Sequence, residues 1–349
     1  MALLHYAVLA EHMQELLYSV AAGGDTPTHQ LSMMAGPELQ QVMEDFNNTE
    51  SLALPTHLTY VDLFQQQAAK SSDRPCVMFE GETLSYAQVE HRANQLAHLL
   101  VSLGVGPEVA VGLHVHRCLD LMTTMLAVMK AGGYYVPLDP SYPKDRLEFM
   151  MQDSEMLVLL TLSELGGTLA VKPGTHVVVV DEEWEARVSR QPTTPFLPPR
   201  ARPENLCYSI YTSGSTGMPK GVMAEHCNLV CFTSYFVHKY EVSPHDVCIL
   251  KASIGFDFSV AEYAGVLAGG GCVLLVKPGG EMDVQYQLDL IRSHKVRGGH
   301  IVQGRSGNSQ GIGCSSQGMG RSSQGVGSSS QGKGSSSRGL GQSSSSSPN

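Results

Sequence analysis

The residues best suited to chemistry lie in one eleven-residue stretch, Tyr211-Thr212-Ser213-Gly214-Ser215-Thr216-Gly217-Met218-Pro219-Lys220-Gly221. Thr212, Ser213, Ser215 and Thr216 offer hydroxyl donors, and Lys220 adds a mobile point charge. The glycines let the backbone turn sharply and come close to a ligand. The preceding apolar run, residues 206–211, reads as a buried strand. Successive exposed N–H groups after a strand form a concave anion site. The pattern therefore suits the cradling of a polyphosphate. It is not a P-loop of the GxxxxGK[ST] type, because Gly221 follows Lys220 and Pro219 precedes it. A flexible Gly/Ser linker is the plain alternative, but linkers do not usually follow a core strand and end in Pro-Lys-Gly.

A second stretch is Ser253-Ile254-Gly255-Phe256-Asp257-Phe258-Ser259-Val260-Ala261-Glu262. Asp257 is a lone acid among apolar neighbours, where a carboxylate is costly unless paired. It reads either as the N-cap of a helix starting at Ser259 or as a charge waiting for a ligand.

The elements that must position these stretches alternate between strands and helices. Residues 60–69 read as a helix, 76–79 as a strand and 80–82 as a turn. Residues 84–86 lead into a helix running to about 103, with Ala93, Leu96, Ala97 and Leu100 at helical spacing. Strands follow at 109–113 and 134–138, around a very apolar helix at 119–131. Further strands are expected at 156–162, 176–180, 247–250 and 273–276. Helices are expected at 228–236, from 259 onward, and at 284–294. Five prolines between 192 and 203 mark a surface connection. The alternation predicts an α/β fold with mostly parallel sheets flanked by helices. In the segment 130–147, Pro140 and Pro143 around Ser141-Tyr142 fix the chain leaving a strand. Tyr134 and Tyr135 are expected to pack on the next helix, in a structural role. Residues 1–22 read as a helix with Leu9, Met13, Leu16, Leu17 and Val20 on one face. A second helix opens at Pro37.

Composition bounds the rest. The chain has 349 residues, 42% of them hydrophobic, and a formal net charge of −10. The first 303 residues hold all 33 acidic residues and 19 of the 23 basic ones. An acidic body argues against nucleic-acid binding, so an anionic ligand must be held by local donors. The eight cysteines show no CxxC pair or zinc spacing, and read as thiols of a cytoplasmic core. No apolar run is long enough for a membrane span, and the N-terminus lacks the basic start of a signal peptide. From residue 309 to 343 the unit Ser-[Gln/Arg]-Gly-x-Gly-x-Ser recurs five times. Two glycines per unit and no apolar seam exclude a coiled coil, so 301–349 is expected to be a flexible, disordered tail.

Residues 211–221 closely resemble the phosphate-loop signature of the adenylate-forming enzymes: acyl-CoA synthetases, luciferases and the adenylation domains of nonribosomal peptide synthetases. Residues 222–229 resemble its continuation, with Cys227 departing from the basic residue often found there. Leu84-Ser85-Tyr86 with Val89 is similar to the opening motif of adenylation domains. Leu138-Asp139-Pro140-Ser141-Tyr142-Pro143 is typical of the amino-acid-activating branch. The Phe256-Asp257-Phe258-Ser259 pattern resembles the segment that grips the substrate α-amino group there.

The resemblance implies a partial large N-terminal domain of the adenylate-forming fold over residues 51–300. Residues 1–50 are similar to the end of a condensation domain with its linker. The implied reaction is ATP-dependent activation of an amino acid as its aminoacyl-adenylate, with Mg²⁺ bridging the phosphates. Thr212, Ser213, Gly214, Ser215, Thr216, Gly217 and Lys220 would hold the phosphates. Asp257 would pair with the ammonium, and Phe258 and Ala261 would face the side-chain pocket. Carrier and condensation domains of a multidomain synthetase are the implied partners, the carrier bearing phosphopantetheine. The family's ribose-binding aspartate, magnesium-holding acid and C-terminal lysine motifs do not occur in the 349 residues, which read as a catalytically incomplete fragment. Two alternatives remain open: an acyl-CoA-synthetase-like acid ligase, for which Asp257 would not matter, and a non-catalytic nucleotide-binding remnant.

Overall fold

The computed structural model describes residues 2–47, 53–213, 218–294 and 296. The repeat-bearing tail and loop residues 214–217 lie outside them, so the expectation of a disordered tail is not addressed. The chain starts with a long helix α1 (Ala2–Gly23) and a short helix α2 (Gly36–Gln40) that continues as a π-helical turn over Gln41–Asp45. His12 Nε2 donates to the Glu38 carboxylate at 2.8 Å, tying α1 to α2. The apolar face expected on α1 is present but uncovered: Leu9, Met13, Leu17 and Val20 are all exposed.

Helix α3 (Tyr60–Lys70) opens on a reciprocal cap. Thr59 N donates to Asp62 Oδ2 at 2.8 Å, and Asp62 N donates to Thr59 Oγ1 at 3.1 Å. This satisfies donors that a helix start otherwise leaves unpaired. Strands β1 (Pro75–Phe79) and β2 (Glu82–Ser85) form a hairpin whose turn residues Glu80 and Gly81 both have positive φ. Ser85 and Gln88 then cap α4 (Tyr86–Ser102) in the same reciprocal way. Next come β3 (Ala110–His114), α5 (Leu121–Lys130), β4 (Tyr134–Pro137), α6 (Lys144–Asp153), β5 (Val158–Thr161) and β6 (His176–Val179). A four-residue helix α7 (Val180–Glu183) runs into a π-helical turn over Trp184–Val188. The chain continues through β7 (Leu206–Thr212), β8 (Lys220–Glu225), α8 (His226–Tyr240), β9 (Val247–Leu250), α9 (Phe258–Ala268), β10 (Cys272–Leu275) and α10 (Val284–Ser293).

The strands make two sheets. One has the order β6-β5-β3-β4-β7-β8 and the other β2-β1-β10-β9. All neighbours pair in parallel except the edge strands β8 and β2, which are antiparallel to their partners. The expected class, α/β with mostly parallel sheets flanked by helices, is the observed one.

Alternation along the strands sends side chains to two faces of each sheet. Val111, Leu113, Leu160, Cys207 and Ile210 of the larger sheet share one core with Val77, Leu250, Val273 and Leu275 of the smaller. That core is filled by α3, α4, α5, α8 and α9. All ten residues of α5 are buried, as its composition predicts. The outer face of the larger sheet (Ala110, Val136, Leu159, Tyr211) packs on Leu147, Met150 and Met151 of α6. The outer face of the smaller (Ile249, Leu274, Val276) meets Tyr286, Leu290 and Ile291 of α10.

Several expectations change. The stretch 84–86 leads directly into α4 as expected, and Leu84 and Ser85 in addition end strand β2, which pairs with β1. Strand β8 and helices α6 and α7 were not legible in the apolar pattern. Tyr134 packs toward α6 as expected. Tyr135 does not: its ring lies against Tyr208, and its hydroxyl is 2.8 Å from that of Tyr263 on α9. Strand alternation sends two consecutive tyrosines to opposite faces.

Candidate functional site

The phosphate-loop stretch is the tip of a hairpin. Strand β7 delivers it and β8 takes the chain back, with Thr212 and Lys220 as the last paired residues. Thr212 Oγ1 donates to Lys220 O at 3.4 Å, closing the base of the loop. Thr212, Ser213 and Lys220 are exposed at its mouth, and Gly214, Ser215, Thr216 and Gly217 lie outside the described residues. Lys220 enters none of the ion pairs found among the described residues. The strand under the loop is buried and firmly held. Tyr211 is in the core, and its hydroxyl donates to Asp153 Oδ2 of α6 at 2.7 Å. The buried strand and the exposed Thr212, Ser213 and Lys220 match the division of labour between scaffold and binding loop.

The second stretch lies at the start of α9. Ser259 and Val260 are buried, whereas Asp257 is exposed, with Phe256 and Phe258 at 59% and 46% exposure. The expected desolvation of Asp257 by its apolar neighbours is therefore not found, because both rings turn outward with it. Asp257 occupies the N-cap position, and the helix begins one residue earlier than expected, at Phe258. Its backbone is already helical (φ −58°, ψ −24°) and its side chain makes no cap hydrogen bond. A capping side chain needs extended backbone to reach back to the N2 or N3 N–H. Ala261, one turn on, is half-buried.

The two stretches belong to one neighbourhood. Tyr208 of β7 has its phenol pushed up to about 12, chiefly by burial, then by Cys207 and by the negative charge of Asp257. Tyr208 lies on the strand that carries the phosphate-loop sequence.

Beneath Asp257, Glu262 reaches the strand exit before it. Its Oε2 accepts from Lys251 N at 3.1 Å and Ala252 N at 2.9 Å. The residue is 2% exposed, and burial pushes its carboxyl up to about 7 against the pull of those two N–H groups. Arg117 acts from the other side. Its Nε donates to Val276 O at 2.7 Å and its Nη1 to Lys251 O at 2.9 Å, and it pairs with Glu281. A cleft of about 290 Å³ opens here, lined by His116, Arg117, Asp139, Ser141, Lys251 and Ser253 among others. These residues follow directly on β3, β4 and β9, so the cleft lies at the carboxyl ends of parallel strands, where open α/β sheets hold ligands. The sequence offers no signal for Arg117 or Glu262: Arg117 bonds backbone carbonyls and Glu281 far along the chain, and Glu262 bonds two backbone N–H groups on a preceding segment.

Among the described residues no three His, Cys, Asp or Glu side chains converge as metal ligands. The seven described cysteines are unpaired thiols. No helix among those residues is long and apolar enough to cross a membrane.

Comparison with known proteins fits this architecture. Tyrocidine synthase 3 of Brevibacillus parabrevis is 36% identical over 289 residues, which is 82% of this chain and 4% of that protein. Gramicidin S synthase 2 of Brevibacillus brevis is 35% identical over 289 residues, 82% of this chain and 6% of that protein. The chain therefore spans only a small part of the curated relatives it matches. Among solved structures, the nonribosomal peptide synthetase FmoA3 bound to AMPPNP superposes with a TM-score of 0.71 at 24% identity. That match covers 83% of this chain and 30% of the other, and at such identity it speaks for the fold alone. The family described as AMP-binding enzyme matches residues 64–302, from α3 to beyond α10, and with both sheets and both candidate stretches inside that span the chain belongs to this family.

Proposed function

We propose that this chain is the ATP- and amino-acid-binding part of an adenylation domain of the nonribosomal-peptide-synthetase type. The observation that carries the choice of branch is Asp257. It stands at a helix start, makes no cap bond, keeps its carboxylate in solvent and neighbours the strand of the phosphate loop. A carboxylate with no structural duty in that place suits a substrate ammonium, which an ordinary fatty or aromatic acid lacks.

In the proposed reaction a carboxylate oxygen of the amino acid attacks the α-phosphorus of ATP. The bond from that phosphorus to the bridging oxygen breaks, giving aminoacyl-adenylate and pyrophosphate. The protein's part is to position the reactants and stabilise charge. Thr212, Ser213, Gly214, Ser215, Thr216, Gly217 and Lys220 would hold the β- and γ-phosphates, which leave as pyrophosphate. The Lys220 ammonium, free of ion pairs among the described residues, is available to a polyanion. Asp257 would fix the ammonium end, and Phe258 and Ala261 would border the side chain. Mg²⁺ would neutralise phosphate charge when bound. The described residues offer it no ligand cluster, so no residue is assigned to it and no step is drawn through it.

The wider assembly belongs to the same proposal. A carrier domain bearing phosphopantetheine would receive the activated amino acid, and residues 1–50 would be the end of a condensation domain. The uncovered apolar side chains of α1 support a segment that packs on something else.

Calorimetric titration of the 349-residue chain with ATP and Mg²⁺ tests the core claim. Saturable binding is expected, and Lys220→Ala should weaken it about tenfold or more, as for a lost charge-assisted hydrogen bond. No binding by the wild-type chain, or equal binding by the variant, would overturn it.

A further inference from the structure

The segment between β4 and α6 does more than turn the chain. Its residues reach both candidate stretches. Asp139 Oδ1 accepts from Ser141 N at 2.9 Å, which folds the segment back on itself. Asp139 Oδ2 accepts the hydroxyl of Ser253, 114 positions further along the chain. The Ser253 oxygen in turn accepts from Gly255 N at 3.1 Å, and Ser253 O accepts from Phe256 N at 3.0 Å. The backbone immediately before Asp257 is thereby hung from one carboxylate. Tyr142 seals the contact, since a Cβ on Gly255 would lie 2.4 Å from the Tyr142 hydroxyl oxygen.

The same segment holds the other stretch. The Arg146 guanidinium lies 4.1 Å over the Tyr142 ring, and its Nη2 donates to Tyr211 O at 3.3 Å. Tyr211 is the residue before Thr212, where the loop begins. Tyr142 N donates to Asp139 O at 3.0 Å, so the Asp139 and Arg146 ends are joined through a short, bonded turn. A continuous path thus runs from Gly255 through Ser253, Asp139, Tyr142 and Arg146 to the carbonyl of Tyr211.

We infer that Asp139, Tyr142 and Arg146 form a tether that sets the spacing between the Asp257 segment and the phosphate-loop hairpin. They are positioning residues, which act on a ligand only through the two stretches they hold. In a reaction whose catalysis is mainly positioning, a displacement of either stretch matters as much as loss of a contact. The physical basis is geometric. β7 and β9 belong to different sheets, and no ladder hydrogen bond links them. A polar tether at their carboxyl ends can hold the two exits in register without constraining the strands themselves. Its role in ATP binding rests on the proposed function; the tether itself does not.

Hydrogen exchange read by mass spectrometry on the full 349-residue chain tests the tether without any ligand. Asp139→Ala and Ser253→Ala should each speed exchange at 253–257, and also at 209–213, across the path. Because the Asp139–Ser253 bond is lost in both, the double variant should exchange less than the sum of the two single effects. Acceleration confined to 253–257, or additive effects, would overturn the inference. Should Asp139→Ala fold poorly, Ser253→Ala and Arg146→Ala carry the same comparison from either end. ATP titration supplies the second arm. Arg146→Ala should weaken binding about three- to tenfold and Arg146→Lys should restore most of it, with thermal midpoints close to wild type. Unchanged ATP affinity in Arg146→Ala would overturn the positioning role. If the wild-type chain binds no ATP, the functional reading fails, and the exchange data still decide the tether.

Discussion

Removing the charge of Glu262 should flatten the pH dependence of stability in a defined window. The folded state raises this carboxyl from 4.5 to about 7. The cause is burial, opposed by N–H donation from Ala252 and Lys251 and by the nearby Lys251 and Arg117 charges. The folded state therefore binds this proton more tightly than the unfolded chain does. The associated stability is fully present below about pH 4.5 and is lost as pH rises through about 7. For a 2%-exposed side chain the shift corresponds to about 3 kcal/mol, an order-of-magnitude figure. In Glu262→Gln the amide oxygen can still accept from Lys251 N and Ala252 N, and the charge is gone. The assay is urea unfolding of both proteins at pH 5 to 8.5, with stability extrapolated to water. Wild type should lose about 2–3 kcal/mol relative to the variant between pH 5 and 8. Other groups titrate too. His226 is buried, accepts Tyr60 N at its Nδ1 and is pushed down to about 4 by burial, so it disfavours folding as pH falls below 6.5. Both proteins share that effect, and it cancels in the difference. Parallel pH profiles would refute the reasoning, because they would mean that the carboxylate is solvated or fully compensated.

Asp257→Asn is expected to move stability by less than about 0.5 kcal/mol, as the side chain is exposed and makes no cap bond. In a version of the chain extended with the second half of a related domain, it should cost about 2–5 kcal/mol in amino-acid activation; equal activation would favour the acyl-ligase alternative. The 349-residue chain alone should show no amino-acid-dependent pyrophosphate exchange above its Lys220→Ala control. The family resemblance implies ribose, magnesium and lysine motifs that these 349 residues do not contain, and loss of a single charge-stabilising donor typically costs about 10²–10³ in rate; measurable exchange would contradict this. Deleting residues 304–349, which are 29 Gly or Ser of 46, should leave the thermal midpoint unchanged, since so little apolar surface cannot offset the entropy of ordering; a lower midpoint would show that they pack on the body.

Some of this protein is determined locally and is readable from the chain alone. The helices at 60–70, 86–102 and 121–130 follow from apolar spacing and from caps such as Thr59 with Asp62. The strands at 110–114, 158–161 and 272–275 follow from short apolar runs. Residues 211–221 and 256–259 show their chemistry because the donors, the cation and the acid lie close in sequence. Other elements leave weak local traces. Helix α6 reads Lys-Asp-Arg-Leu-Glu-Phe-Met-Met-Gln-Asp, mostly polar, and buries only Leu147, Met150 and Met151. Strand β8 is an exposed edge whose pairing with β7 supplies the order that its own sequence lacks.

What only the tertiary structure decides is set by partners distant along the chain. The division into two sheets, with β10 between β1 and β9, depends on pairings such as Val77 with Val273. The fate of Asp257 depends on its segment turning outward at the head of α9, which its apolar neighbours argued against. Glu262, Arg117 and the Asp139–Ser253 tether bind groups from 10 to 164 positions away. A periodic pattern records which face of an element is apolar. It cannot record which distant backbone group that face will meet, because that is fixed only when the whole core closes.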